Sequence, residues 1–490
     1  MDLAITLDSS AALPLHRQLY EELRRAILTG RLLPRQRVPS TRALALSLGI
    51  SRSTVTQIYE QLLSEGYLQT TIGSGTFVCP KLPDELLRSD SIESIHQIIP
   101  PPIQLSTYGA SLADAEPLVT ADPESSISFR YGRPALDQFP IELWRKLLSR
   151  HCRSNIELLD YATDSLGHKP LREAIAHYLS RSRAVQCDAD QVIVVNGSLQ
   201  ALNLVTRLLI NPGDWIALED PGYLGARHTF LTQGAKLWPV AVDRSGIVVQ
   251  DLVTYPAAKL KLVYVTPSHQ FPTGAVLSLP RRLELLAWAQ QTGTLIIEDD
   301  YDSEYRYSSS PIPALQGLGY SNSVIYIGTF SKVLFPSLRL GYLVLPQVLV
   351  PVFTRAKWLA DRQSPLLEQY VLADFLNEGH LERHIRRMRT LYDRRRQALV
   401  QALTSHLGQQ VTILGENAGI HLMVRLHTNL SDEAVIERAA QVGVGLVSAQ
   451  PYYLEAKRTG EFIFGYAELN EQQIQDGIRR LAKSIVQCCS

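Results

Sequence analysis

Lys332 lies in the stretch YIGTFSKVLFPSLRLGY, flanked by hydroxyls at Thr329 and Ser331 and followed seven residues later by Arg339. Apolar and small neighbours make it poorly placed as a solvated surface charge. A lysine amine can form a Schiff base with an aldehyde, and an arginine fork can hold a phosphate. Three other segments carry complementary chemistry. In NGSLQALNLVTRLL, after the apolar run QVIVV, residues Gly197, Ser198 and Leu199 open a helix. Free amides and the helix dipole at such a start attract an anion, although the same pattern also serves as an ordinary cap. IIEDDYDSEYRY closes another apolar run, where ligands of open α/β sheets bind. Its Asp299 can offer a carboxylate to a cationic ring nitrogen, with Tyr301 donating a hydrogen bond beside it, or the acids can form a plain loop. In EDPGYLGAR, Tyr223 is placed to stack on a flat ring. An aldehyde-bearing ring with a phosphate, a ring nitrogen needing a carboxylate and a stacking partner together describe pyridoxal 5'-phosphate.

A second kind of chemistry sits near the N-terminus. Residues 31–52 contain Arg31, Arg35, Arg37, Arg42 and Arg52 and no acid, in a chain whose 48 basic and 48 acidic side chains cancel. Such a stretch is either a solvated face or one that meets phosphates. Position favours the phosphates: Arg52, Ser53 and Thr54 open a third helix, where base edges are read, and Arg42 lies on the helix before it, which crosses the backbone. Gly73 and Gly75 allow a turn to approach a groove closely.

The elements that must position these residues follow from spacing. Leu15, Leu19, Leu23 and Ile27 recur every four residues and mark a first helix stopped by Gly30. Ser40 caps a second that runs to Gly49, and a third from Ser51 turns Val55, Ile58, Tyr59 and Leu62 inward before Gly66. YLQTTIGSGTFV then gives a hairpin, completing the winged helix-turn-helix order over residues 1–78. Residues 79–125, with Pro100, Pro101 and Pro102, show no sustained period and read as a linker. From 126 to 490 the runs QVIVV, WIALE, KLVYV, TLIIED and VIYIG alternate with helical stretches, which predicts an α/β body with a mostly parallel central sheet. No apolar run approaches the ~18 residues of a membrane helix and the start carries acids instead of a basic leader, so an intracellular, cytoplasmic protein with no membrane contact is expected. Five cysteines without a CxxC pair or histidines at metal spacing point to reduced thiols and no metal.

The segment PLHRQLYEELRRAILTGRLLPRQRVPSTRALALSLGISRSTVTQIYEQLLSEGYLQTTIGSGTFV resembles the GntR-type DNA-binding domain throughout. By that resemblance Arg42, Arg52, Ser53, Thr54 and Gly73 contact operator DNA. The order phosphate loop, aromatic, acid, lysine, arginine resembles fold-type I aminotransferases. This implies Lys332 as the Schiff-base lysine, Asp299 on the pyridine nitrogen and Tyr301 on the phenolic oxygen. Ser198, the Leu199 backbone, Thr329, Ser331 and Arg339 would form a phosphate cup, and Tyr161 would reach the phosphate of a neighbouring subunit, so a homodimer is implied. TPSHQFPTG, EDDYDSEYRY and GTFSKVLFPSLRLGY make the whole similar to the MocR subfamily of GntR regulators.

Two departures stand out. Phe271 replaces the asparagine of Asn-Pro-Thr-Gly that assists Tyr301 in many enzymes, leaving Gln270 or His269 as substitutes. In GEFIFGYAEL, Ile463 or Phe464 stands where amino-acid aminotransferases hold the substrate carboxylate with an arginine, and Arg458 is several residues upstream. Ordinary amino acids should then be poor substrates, and the effector is an amine lacking an α-carboxylate or the cofactor itself. The expected function is a transcriptional regulator that senses a small-molecule effector (an amine, an amino acid or pyridoxal phosphate) in its body. The alternatives are a working aminotransferase with a DNA-binding appendage and a scaffold that has lost its cofactor.

Overall fold

The computed structural model describes residues 5, 7, 8, 13–84, 103–113 and 125–486, apart from 72, 155, 162, 163, 255–259, 308–311, 320, 456 and 457. The chain divides into two units, Met1–Gln104 and Leu105–Ser490.

In the first unit α1 (Leu15–Leu28), α2 (Thr41–Leu48) and α3 (Arg52–Ser64) precede a hairpin of β1 (Leu68–Thr71) and β2 (Gly75–Val78). The expected caps are in place. Ser40 accepts from the Ala43 amide and Ser51 from the Thr54 amide, while Gly49 ends α2 in the left-handed region with φ 67°. Leu19, Leu23, Ala26 and Ile27 of α1 pack on Leu44 and on Val55, Ile58 and Leu62, so the four-residue spacing forms one core face. The strands pair from Leu68 opposite Val78 to Thr71 opposite Gly75, and Gly73 sits in the intervening turn with φ 79°.

The second unit begins with a helix, α4 (Thr107–Ala113), inside the stretch expected to be structureless linker. All its side chains are at least partly exposed, so it carries no apolar stripe for a period to reveal. The remainder of that stretch, including the proline run, is mostly outside the described residues. An eight-stranded sheet follows: β3 (Val192–Val195), β4 (Trp215–Asp220), β5 (Lys236–Asp243), β6 (Gly246–Ile247), β7 (Leu260–Val265), β8 (Leu295–Asp300), β9 (Val324–Thr329) and β10 (Gly341–Val344). Its spatial order is β3-β10-β9-β8-β7-β4-β5-β6, parallel from β9 to β5, with β10 antiparallel to both its neighbours and β6 antiparallel to β5. The five β-prone runs of the sequence are five of these strands. Helix α5 (Ser198–Leu209) starts directly after β3, and α6 (Val350–Asp361) follows β10.

A long helix, α7 (His380–Leu407), leads into a four-stranded antiparallel sheet with order β11-β12-β14-β13, formed by β11 (Val411–Leu414), β12 (His421–Leu426), β13 (Val447–Ser448) and β14 (Glu461–Gly465). Helix α8 (Glu471–Val486) packs with α7 over it, burying Leu399, Leu403, Ile474 and Ile478 against Leu422 and Phe464. The carboxyl end of β8 shows how the sheet sorts side chains. Successive residues point to opposite faces of a strand. Glu298 accepts the Leu315 and Gln316 amides and Asp300 accepts Arg183 and Tyr326, whereas Asp299, between them, accepts the Tyr264 hydroxyl of β7.

Candidate functional site

A cavity of about 150 Å³ opens at the carboxyl ends of these strands. Ser198, Leu199, Tyr223, Asp299, Tyr301, Thr329, Ser331, Lys332 and Arg339 all line it, although they come from four separate stretches of sequence. Each is delivered by a local cause. Gly197 has φ 85°, and a Cβ there would stand 2.7 Å from Arg339 Nη2, so only glycine lets the start of α5 and the guanidinium share this corner. Arg339 itself donates to the Asn196 carbonyl at 3.0 Å. Ser198, Leu199 and Arg339 therefore put free amides, a helix N-terminus and a guanidinium at one end of the cavity, a donor set for a phosphate.

At the other end Lys332 Nζ donates to the Gly132 carbonyl at 2.7 Å, and a Cβ on Gly132 would come within 2.8 Å of that nitrogen. Burial depresses the Lys332 pKa, opposed by the negative charges of Asp302 and Asp299, which favours a neutral, nucleophilic amine. Asp299 receives Tyr264 at 2.7 Å on Oδ2, while its Oδ1 is buried without a partner. Burial pushes its carboxyl up to about 7. A buried carboxylate oxygen with nothing to accept is what a pyridine N–H would satisfy, so these residues fit the cofactor read from the sequence. Nearby Glu219, bonded by Thr266 at 2.6 Å, is likewise raised by burial to about 7.

The missing asparagine is resolved in favour of His269. Tyr301 donates to the His269 carbonyl at 2.9 Å and lies 3.0 Å from its Nδ1, and that nitrogen is 2.9 Å from Asp302 Oδ2. Gln270 is turned away, donating to the Pro221 carbonyl at 2.8 Å. Gly419 makes room for the pair: a Cβ there would meet His269 Cε1 at 1.9 Å. His269, Asp302 and His421 form a buried cluster of metal-ligating types that the sequence spacing did not reveal. Tyr161 is 64% exposed and lies off the cavity, under the Arg362 guanidinium at 3.6 Å. Tyr131, Gly132, Tyr264, Ile420 and His421 also line the cavity and carry no motif. Only the residue types, aromatic and glycine beside apolar runs, hinted at them.

In the first unit Arg42, Arg52 and Ser53 are exposed and Thr54 is half-buried, at the starts of α2 and α3. Ser51 Oγ lies 2.8 Å from both the Ser53 and Thr54 hydroxyls, which fixes their rotamers at the helix start. Of the five arginines, Arg31 is committed to Glu22 at 3.3 Å. Arg37 crosses the wing, where a Cβ on Gly75 would stand 2.9 Å from its Nε.

Residues 129–481 match the aminotransferases of class I and II, and residues 15–78 match the bacterial regulatory proteins of the gntR family. The alpha-aminoadipate aminotransferase LysN of Thermus thermophilus, solved with N-(5'-phosphopyridoxyl)-L-leucine, superposes with a TM-score of 0.68 at 29% identity, covering 78% of this chain and 95% of that one. Fold and site thus define an aminotransferase-fold body, whose cofactor is pyridoxal 5'-phosphate, joined to a winged-helix DNA-binding domain. Along its full length the chain is 40% identical to the probable rhizopine catabolism regulatory protein MocR of Rhizobium meliloti, with 98% of this chain and 96% of that protein covered. The pyridoxine biosynthesis regulator PdxR of Corynebacterium glutamicum is 30% identical over 97% and 96%. The chain belongs to the MocR branch of the GntR transcriptional regulators.

Proposed function

We propose that this regulator binds its operator as a homodimer through residues 1–78 and reads a small-molecule effector in residues 126–490, with 79–125 as the connection. In this reading it acts in the cytoplasm. The observation that carries it is the unpartnered Asp299 Oδ1 across one cavity from Lys332, in a chain whose other unit exposes Arg42 and Arg52 at two helix starts. When bound, pyridoxal phosphate supplies an aldehyde for amines and an electron-withdrawing ring. Ser198, the Leu199 amide, Thr329, Ser331 and Arg339 would hold its phosphate, Tyr223 would lie against the ring, and Asp299 would keep the ring nitrogen protonated. Tyr301, held beside His269, would turn its one O–H from the His269 carbonyl to the phenolic oxygen, and Lys332 would present its amine to the aldehyde. Arg52, Ser53, Thr54, Arg42 and Gly73 would meet the DNA.

The homodimer is supported by what is left uncovered. The phosphate end of the cavity is open, with Leu199 39% exposed, and Trp358 and Leu359 of α6 are 54% and 77% exposed. Tyr161 lies off its own cavity, available to a second one. Names borne by the relatives, regulators of rhizopine catabolism and of pyridoxine biosynthesis, support a role in the control of small-molecule metabolism. Effector binding that favours one arrangement of the two bodies would alter the spacing of the winged helices and so the affinity for two half-sites. Transamination by the same lysine is the second reading, favoured by the complete Lys332, Asp299, Tyr301 and Arg339 set. Footprinting of the DNA upstream of the gene, with and without pyridoxal phosphate, tests the regulator reading. Two protected half-sites whose affinity changes with the cofactor are expected, and a protein that binds no DNA there while converting amino acids to keto acids would overturn it.

A further inference from the structure

Facing Lys332 and Asp299 is a wall that no sequence motif marks. Tyr131, Phe271, Ile420 and His421 line it, and Tyr452 packs behind with its ring 5.3 Å from that of Phe271. The Tyr131 and Tyr452 hydroxyls are 2.5 Å apart, so one donates to the other and the pair has one O–H left to give. His421 is 1% exposed, with Nε2 3.2 Å from the Pro272 carbonyl oxygen. A carbonyl only accepts, so Nε2 carries the proton and Nδ1 keeps a lone pair. Burial, with the His269 ring 4.7 Å away, keeps the imidazole neutral. The wall therefore brings a tyrosine hydroxyl, a neutral imidazole and aromatic faces to one side of the cavity.

Its charge is equally informative. The cations on the lining are Lys332 and Arg339, both assigned above to the cofactor. Ile463 is fully buried among Phe271, Met423, Ala449 and Tyr452, which leaves an apolar side chain where a carboxylate would need a guanidinium. Arg458 is exposed, its guanidinium 5.9 Å over the outer ring of Tyr453 and off the lining. Arg130, half-buried, is also off the lining. A carboxylate here would find a tyrosine O–H beside a neutral imidazole, with no cation on the lining beyond those assigned to the cofactor.

We infer that this wall is the effector subsite and that it receives primary amines whose body is uncharged and hydroxyl-bearing, in preference to α-amino acids. The inference rests on the cofactor being held at Lys332. A hydroxyl both donates and accepts, matching the tyrosine O–H and the His421 lone pair, and the amine nitrogen then points towards Lys332. Serinol and L-serine are the probes, because they differ only in a hydroxymethyl group against a carboxylate. Each is titrated into the full chain loaded with pyridoxal phosphate, following the visible cofactor band. Half-maximal change is expected at a concentration at least tenfold lower for serinol, the least that one missing charge-assisted hydrogen bond costs. Equal or tighter binding of L-serine would overturn the subsite. Ile463→Arg should shift the preference at least tenfold towards L-serine. Should that buried replacement fail to fold, Tyr131→Phe keeps the test open: it takes the hydroxyl off the lining and should narrow the serinol preference at least fivefold, and an unchanged preference would overturn the subsite. Absence of any visible band in the loaded protein would overturn the cofactor reading, and the subsite with it.

Discussion

Replacing Asp299 by Asn separates two effects of one buried carboxylate. The shape is kept, and the amide oxygen can still accept from Tyr264, which lies 2.7 Å from Oδ2. What changes is the atom at the partnerless Oδ1. In the cofactor-free chain burial raises this carboxyl from 3.8 to about 7. The folded chain therefore holds more protons than the unfolded chain between about pH 4 and 7, and its stability falls as pH rises through that window. At about 1.36 kcal/mol per pH unit the full deficit, present above pH 7, is up to about 4 kcal/mol. Glu219, Glu298 and Glu304 are also raised to about 7, so the substitution removes only a share of the native slope. With pyridoxal phosphate bound the sign reverses, because Oδ1 gains a charge-assisted hydrogen bond of about 1.5–3 kcal/mol that an amide NH₂ cannot accept. Asp299→Asn should thus bind the cofactor roughly 10- to 150-fold more weakly. Its cofactor-free form should lose less melting temperature than the native chain between about pH 5 and 8. Equilibrium dialysis measures the first effect and calorimetry across that range the second. Native affinity in the variant would refute the assignment of Asp299 to the ring nitrogen, and an unaltered pH slope would refute the burial argument.

Arg52→Ala should abolish operator protection in a footprint while leaving the visible cofactor band unchanged. In the native chain, log affinity should fall against log salt by about 0.9 for each phosphate neutralised. Lys332→Ala should still bind pyridoxal phosphate but leave nothing for borohydride to fix. Peptide mapping of the reduced native protein should place the adduct on Lys332, and an adduct on another lysine would undo the site. Trp358→Asp, on the exposed face of α6, should shift the chain from dimer to monomer by light scattering, and an unchanged mass would exclude that face from the interface.

What the sequence revealed was what local chemistry determines. Ser40, Ser51, Gly49 and the spacing of α1 announce the winged helix because each cap and stripe is satisfied within a few residues. Lys332, Asp299 and Tyr301 were legible because each lies at or just past the end of a β-prone run, where strand ends in such a sheet converge, and Arg339 because it follows Lys332 by seven residues. Tyr264 was hidden inside the run KLVYV, where only the pairing of β7 with β8 brings its hydroxyl to Asp299. Gly132 and His421 reach Lys332 from opposite ends of the body through folding of the second sheet, and no short-range pattern encodes that. The choice between Gln270 and His269 needed the position of Asp302, which draws the imidazole under Tyr301. Helix α4 escaped because it lacks the apolar stripe by which helices are recognised.

The alternation at the end of β8 has a consequence for how such chains change over time. Glu298 and Asp300 brace the scaffold, through two backbone amides and through Arg183 with Tyr326, while Asp299 alone faces the cavity. A slip of one residue would exchange these duties, turning Glu298 and Asp300 to the cavity and away from the amides, Arg183 and Tyr326 that they serve, so the misregistered chain could not persist. The three neighbours are therefore under different selection. A descendant that abandoned the cofactor would be free to vary Asp299, and would gain stability by doing so, but would have to keep the residues on either side of it. The identity of position 299, compared with that of 298 and 300, distinguishes a lineage that has retired its sensor from one whose fold has decayed.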